Sequence, residues 1–112
     1  MDFAEKRESS ALVLRALEAR LDASNAPDLR VALATHIAAG EQQIVLDLQN
    51  VEFMDSSALG ALINAVKQMG PLGTISIANV GSAVNRLLTL TRMDKVFPVS
   101  KTVEEALEKL AR

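Results

Sequence analysis

A hydroxyl follows a carboxylate in the stretch MDSSALG, residues 54–60, which comes after a strand-like segment and opens a helix-like one. In open α/β sheets, binding sites collect where strands end and helices begin. Asp55 is a good N-cap, which places Ser56 in the first helical turn among free backbone N–H groups. A phosphate on Ser56 would bring about 1.5–2 negative charges to the positive end of the helix. The helix should therefore tolerate phosphorylation of Ser56. An alternative interpretation is that Asp-Ser-Ser only caps the helix.

The helix that begins near Ser56 and ends before Gly70 has few charges on its surface. Helical spacing gives it a core-facing stripe of large apolar side chains: Leu59, Leu62, Ile63, Val66 and Met69. Its remaining positions are mostly small or uncharged, with Lys67 as the one charge: Ser57, Ala58, Gly60, Ala61, Asn64, Ala65 and Gln68. Another helix of the same fold or a separate protein could cover such a face, and the sequence leaves both possibilities open.

Alternating patterns along the chain predict an α/β sandwich built around a mainly parallel sheet. The predicted strands number four to five: residues 4–7, 11–17, 44–48, 74–78 and 96–99. About four helices are predicted: one capped by Ser24 or Asn25 and stopped at Gly40, one from Ser56, one opening at Ser82, and one behind the capping box of residues 102–105. With 112 residues and no visible linker, the chain is expected to form a single domain over residues 1–112.

The amino-acid composition limits the cellular compartment and the classes of partner that this protein can have. The absence of Cys excludes disulfides and thiol catalysis and is compatible with a reducing cytosol. Charged residues near the N-terminus and the lack of an apolar run of about 18–20 residues predict no signal peptide and no membrane insertion. A net charge of −2 with scattered Lys and Arg does not provide the basic footprint of a nucleic-acid binder. We therefore expect a cytoplasmic protein with no direct nucleic-acid partner.

An enzyme has little support in the sequence. The single histidine, His36, lies in mid-helix without a Cys companion, so a histidine-rich metal site is excluded. Ser56 lacks the glycine-flanked turn of the α/β hydrolases, and residues 70–73 lack the ending of a phosphate-binding loop. We expect no catalytic residues, no metal and no cofactor. A small hydrolase with Ser56 as its nucleophile is kept as a minor alternative, because catalytic triads are defined by geometry.

The chain resembles the STAS domain family, and in particular the bacterial anti-sigma factor antagonists. Four segments match in order and spacing: Leu21-Asp22, IVLDL at 44–48, VEFMDSSALG at 51–60 and SAVNRLL at 82–88. The resemblance implies a STAS-type fold over nearly the whole length. It also implies that the protein is not an enzyme but a regulatory binding module.

The resemblance further implies a partner-switching cycle. An unmodified antagonist binds a serine kinase that is also an anti-sigma factor, and the sigma factor is freed for transcription. The kinase phosphorylates the serine after the motif aspartate, here Ser56 after Asp55, and a PP2C-type phosphatase restores binding. The implied partner-binding positions are Asp22, Asp55, Ser56, Ser57, Ala58 and Ala61.

Two questions remain open at this point. Members of the family often have Gly where this chain has Ala58, and a methyl group on the surface beside Ser56 would alter partner choice. The alternative to a switch is a constitutive STAS adaptor, a subunit of a transporter or signalling complex that uses the same helix face without phosphorylation.

Overall fold

The computed structural model describes residues 1–111, which form seven strands and four α-helices. The strands are β1 (Phe3–Glu8), β2 (Ala11–Ala16), β3 (Arg20–Leu21), β4 (Gln43–Asp47), β5 (Phe53–Met54), β6 (Thr74–Ala78) and β7 (Val99–Ser100). The helices are α1 (Ala26–Ala38), α2 (Ser56–Met69), α3 (Ser82–Leu90) and α4 (Val103–Leu110), with a short 3-10 helix at Met93–Lys95. None of these helices is both long and apolar enough to cross a bilayer within residues 1–111.

The main sheet has five strands in the order β1-β2-β4-β6-β7. β1 and β2 form an antiparallel hairpin whose turn contains Ser9 with φ of 56°, and every other pairing in the sheet is parallel. The predicted mixed, mainly parallel sheet with four helices is thereby confirmed.

Successive strand residues point to opposite faces of the sheet, and both faces pack against helices. Leu14, Leu46 and Ile77 face the larger core, which also contains Leu33 of α1 and Leu62 of α2. The opposite face packs against α4 through a smaller cluster: Val13, Val45, Ala78 and Ala106. α1 and α2 lie on the same face. Because α1 follows β2 and α2 follows β4, and these strands are parallel, both helices begin at the edge of the sheet where β2 and β4 end.

A small second sheet was not predicted from the sequence. β3 and β5 pair in parallel, with Arg20 opposite Phe53 and Leu21 opposite Met54. Each strand has only two residues, which is too short for a periodic pattern to be seen. This pairing brings the segment that follows β3 beside the start of α2.

The last strand was predicted at residues 96–99, and this prediction is wrong in its position. The N–H groups of Val96 and Phe97 both donate to the carbonyl of Met93, so the chain is still coiled there, and Phe97 is fully buried. Pro98 has no N–H to donate, and the strand forms only at Val99–Ser100.

Candidate functional site

Asp55 fixes the start of α2 and ties it to the preceding loop. One carboxylate oxygen, Oδ1, accepts hydrogen bonds from the backbone N–H groups of Ser57 (2.9 Å) and Ala58 (3.1 Å), which is N-capping as predicted. The other, Oδ2, accepts from the N–H of Ala23 at 3.1 Å. One side chain therefore holds the loop after β3 against the first turn of α2.

Asp22 lies in that same loop, so the structure brings it to the region of Asp55. The hydroxyl of Ser24, followed by its backbone N–H and by Arg20, lowers the pKa of the Asp22 carboxyl. The N–H of Asp22 donates to Asn25, whose side-chain amide donates to the carbonyl of Arg20. Asn25 is the N-cap residue of α1, but its side chain makes these loop contacts and does not cap the helix.

A shallow groove of about 590 Å³ separates the N-terminal halves of α1 and α2. Its walls are largely apolar, and Ser56 and Ser57 lie along it. Both serines are exposed to solvent. Ser56 is thus accessible to solvent at the first residue of α2, beside this groove.

Ala58 is not on this surface, and the expectation that its methyl group would lie exposed beside Ser56 is wrong, whereas Ala61 lines the groove but is itself buried. Ala58 is 0% exposed and Ala61 is 2% exposed. The reason is that α1 packs along α2, so Ala58, Ala61 and Ala65 belong to the interior of the fold. On α2, the groove is lined by Ser56, Ser57, Gly60 and Ala61.

Apart from the buried Ala26, the groove residues on α1 are Pro27, Arg30 and Val31, and none of these three was identified from the sequence. Val31 is 64% exposed although it is apolar. Spacings of three and four residues place the three side chains on one helix face, which the sequence could have revealed. That this face borders Ser56 depends on the packing of α1 against α2, which no local pattern specifies.

An exposed cation–aromatic contact lies on the small second sheet. The Arg20 guanidinium is 4.1 Å from the centre of the Phe53 ring, and its Nε is 3.4 Å from Asp22 Oδ2. Phe53 is 38% exposed. Arginine and aromatic side chains are enriched at protein–protein contacts, and this pair lies on the strands that immediately precede α1 and α2.

A second groove, of about 680 Å³, lies on the opposite side of the sheet beside α4. Its central carboxylate, Asp47, is buried and accepts hydrogen bonds from Arg15 Nε (3.0 Å), Asn79 Nδ2 (2.9 Å) and the N–H of Gln49 (3.0 Å). These partners use the polar atoms of Asp47 within the fold. The arrangement braces the ends of β2, β4 and β6.

Among residues 1–111, neither a metal-binding cluster nor a histidine lies at the groove of Ser56. Within residues 1–111, no three His, Cys, Asp or Glu side chains are placed to share a metal ion. His36 Nε2 lies 3.1 Å from Glu5 Oε1 of β1, and neither residue borders the groove of Ser56.

Comparison with known proteins identifies the family. An anti-sigma F factor antagonist from Paenibacillus polymyxa is 34% identical over 70 residues, which cover 62% of this chain and 60% of that protein. A candidate anti-sigma factor antagonist from Thermotoga maritima is 32% identical over 74 residues, covering 65% of this chain and 66% of the other. The aligned segments thus span less than two thirds of either relative's length.

The solved structures agree in fold over a longer range. The crystal structure of a candidate anti-sigma factor antagonist from Thermotoga maritima superposes with a TM-score of 0.89 at 26% identity, covering 98% of this chain and 95% of that one. The STAS domain model matches residues 4–106. With a family match across most of its length and a sheet and helices that superpose on known members, this chain belongs to the STAS domain family.

Proposed function

We propose that this protein is an anti-sigma factor antagonist that exchanges partners according to the phosphorylation of Ser56. With a free hydroxyl, the surface around Ser56 binds a serine kinase that also acts as an anti-sigma factor. Phosphorylation releases that kinase, and a PP2C-type phosphatase restores binding. The observation that carries the proposal is an exposed serine hydroxyl at the first residue of α2, bordering an apolar groove.

The chemistry of modification requires ATP and a kinase as co-reactants. The Ser56 hydroxyl oxygen attacks the γ-phosphorus, an oxygen–phosphorus bond forms, and the bond from that phosphorus to the ADP oxygen breaks. The hydroxyl proton passes to a base of the kinase or to solvent. In the separate hydrolysis by the phosphatase, water attacks the phosphorus, the serine oxygen leaves and takes up a proton, and inorganic phosphate is released.

The fold supports tolerance of the modified state. Asp55 already holds the N–H groups of Ser57 and Ala58, so the first turn of α2 does not depend on the Ser56 hydroxyl. Because Ser56 is exposed, its phosphate can remain in water while the helix stays folded. Modification should therefore alter the surface and leave the core unchanged.

Loss of binding follows from charge. In the bound complex, a dianion would replace a neutral hydroxyl in a desolvated contact beside Asp55, which adds a desolvation penalty and like-charge repulsion. A loss of roughly 3–4 kcal/mol would weaken binding several-hundredfold, since about 1.4 kcal/mol corresponds to tenfold. Such a change is large enough for a two-state switch.

The deciding experiment is incubation of the protein with its cognate kinase and ATP, followed by mapping of the modified residue by mass spectrometry. We expect phosphate on Ser56 and none on the Ser56→Ala variant. Ser82→Ala, at the exposed first residue of α3 and outside the groove, is the matched control and should leave modification of Ser56 unchanged. Phosphate found only at another residue would refute the assignment of Ser56.

The charge mechanism is tested separately by binding to the same kinase without ATP. Ser56→Asp should weaken binding while Ser56→Ala retains it. Equal affinities for the two variants would contradict a charge switch. Indifference to both substitutions, together with co-purification with a transporter component, would instead indicate the constitutive adaptor.

A further inference from the structure

We propose that Arg30 holds the phosphoryl group of modified Ser56 across the groove between α1 and α2, so that the modified side chain closes the docking site from within. This inference rests on the proposed phosphorylation of Ser56. It adds a specific intramolecular partner for the phosphate, which a switch based on repulsion alone does not require.

The first support is the uncompensated charge of Arg30. Arg30 is exposed and lines the groove together with Ser56, Ser57 and Gly60. Within residues 1–111 its guanidinium makes no hydrogen bond or ion pair, in contrast to Arg7, Arg15 and Arg20, which each contact a carboxylate. A free guanidinium that borders the modification site is available to bind an added anion.

The second support is the direction of the side chain. α1 and α2 both follow parallel strands and lie on the same face of the sheet, so the two helices run in the same direction from the same edge. Long side chains on a helix lean toward its N-terminus. The guanidinium of Arg30 therefore leans toward the end of the groove where α2 begins, and Ser56 is the first residue of α2.

The third support is the open space at Gly60 in the same groove. Gly60 lies one helical turn after Ser56 and lines the groove together with Arg30. A Cβ built at Gly60 would meet nothing within 4 Å. At this position, α2 therefore places no side chain in the groove that Ser56 and Arg30 share.

Guanidinium and phosphate suit each other in shape and charge, since the planar fork of arginine donates two parallel hydrogen bonds to phosphate oxygens. The carboxylates of Asp55 and Asp22 both accept hydrogen bonds from the loop between β3 and α1. Their negative charges would oppose a dianion on Ser56, whereas the positive charge of Arg30 would favour it. Once the pair forms, it spans the apolar walls that an unmodified partner would contact. Release of the partner then results from occlusion as well as from repulsion.

The test uses the whole chain with phosphoserine incorporated at position 56 during translation, so no kinase is needed. The second ionisation of the phosphate is followed by ³¹P NMR against pH in the wild-type sequence and in Arg30→Gln. Because a nearby cation favours the dianion, we expect the phosphoserine pKa to be lower in the wild type than in the Arg30→Gln variant by about 0.5 of a unit. The Nε–H resonance of Arg30 should also shift on phosphorylation.

Two variants make the result specific. Arg30→Lys keeps the charge and should retain part of the shift, while losing the bidentate geometry. Lys67→Gln removes a positive charge from the same helix as Ser56, but about 16 Å further along its axis, and should leave the phosphoserine pKa unchanged. Equal pKa values in wild type and Arg30→Gln, or an equal effect of Lys67→Gln, would overturn the proposal. Failure of a kinase to modify Ser56 would instead contradict the proposed function and would not change this measurement.

Discussion

The two grooves of this domain are similar in size but differ in how their polar groups are used. Beside α4, the buried carboxylate of Asp47 is hydrogen-bonded to Arg15, Asn79 and Gln49, which closes the network within the fold. Between α1 and α2, the hydroxyl of Ser56 is exposed and Arg30 has no ion-pair partner among residues 1–111. The polar atoms of Asp47 in the larger groove are thus paired within the fold, whereas the smaller groove presents a serine and an unpaired guanidinium to solvent.

The difference shows that an aspartate at the end of a strand can have two roles. Asp47 and Asp55 each accept three hydrogen bonds, but those of Asp47 join the ends of three sheet strands, whereas those of Asp55 come from backbone N–H groups of the β3–α1 loop and of α2. Asp55 consequently fixes the helix start at Ser56 without a hydrogen bond to the Ser56 hydroxyl. We expect substitutions in the first groove to alter stability and those in the second to alter binding.

The largest effect on stability is expected from Asp47→Ala. The substitution leaves Asn79 Nδ2 and the N–H of Gln49 without their acceptor at a position only 1% exposed. We predict a loss of about 2–3 kcal/mol in the free energy of unfolding, measured by urea denaturation. Glu52→Ala, at an exposed position, is the control and should change this free energy by less than about 0.5 kcal/mol. A loss no greater than that of the control would show that the network is not structural.

Asp55→Ala should have the next largest effect. It removes the N-cap of α2 and the hydrogen bond to Ala23, and we predict a loss of about 1–2 kcal/mol in urea denaturation. Asp28→Ala, in the first turn of α1, is a matched control and should lower the free energy of unfolding by about 0.5 kcal/mol. Asp28 is exposed, and its Oδ2 is 3.6 Å from the N-terminal amine of Met1. If both variants lost the same stability, Asp55 would have no special role in joining the loop to α2.

Gly60 separates stability from binding in one position. Gly60→Ala should increase the free energy of unfolding by up to about 1 kcal/mol, because alanine favours the helix and its methyl group would meet no neighbour. Gly60→Leu should fill the groove and weaken binding to the kinase, measured by isothermal titration. Asn64→Leu, one turn further along α2 and outside the groove, should leave that affinity unchanged. Equal weakening by both leucines would show that the groove is not the docking site.

The smallest effect concerns Asp22. Its pKa is lowered chiefly by the Ser24 hydroxyl, so the stabilisation that this contact gives is present above the usual carboxyl pKa of about 3.9 and is lost as pH falls through the lower folded value. In a carboxyl-carbon NMR titration, Ser24→Ala should raise the Asp22 pKa. An unchanged midpoint would show that the Ser24 hydroxyl does not favour the ionised carboxylate.

Local patterns in the sequence were sufficient for most elements of the fold. Apolar runs such as residues 44–48 predicted strands, and Asp55, Gly40 and Thr102 correctly marked where helices begin or end. They succeeded because capping and turn formation depend on residues within one helical turn of each other. The final strand was misplaced because Phe97 is held by burial of its ring, which periodicity does not report.

The sequence by itself determined that a serine with a capping aspartate begins a helix at the edge of an α/β sheet. Only the tertiary structure decided what surrounds that serine. The pairing of β3 with β5 brings the loop of Asp22 to Asp55, and the packing of α1 along α2 buries Ala58 and Ala61 while placing Arg30 at the groove. These contacts join residues about 25 to 35 positions apart, and such pairings depend on how whole helices and strands pack, which no short window of sequence contains.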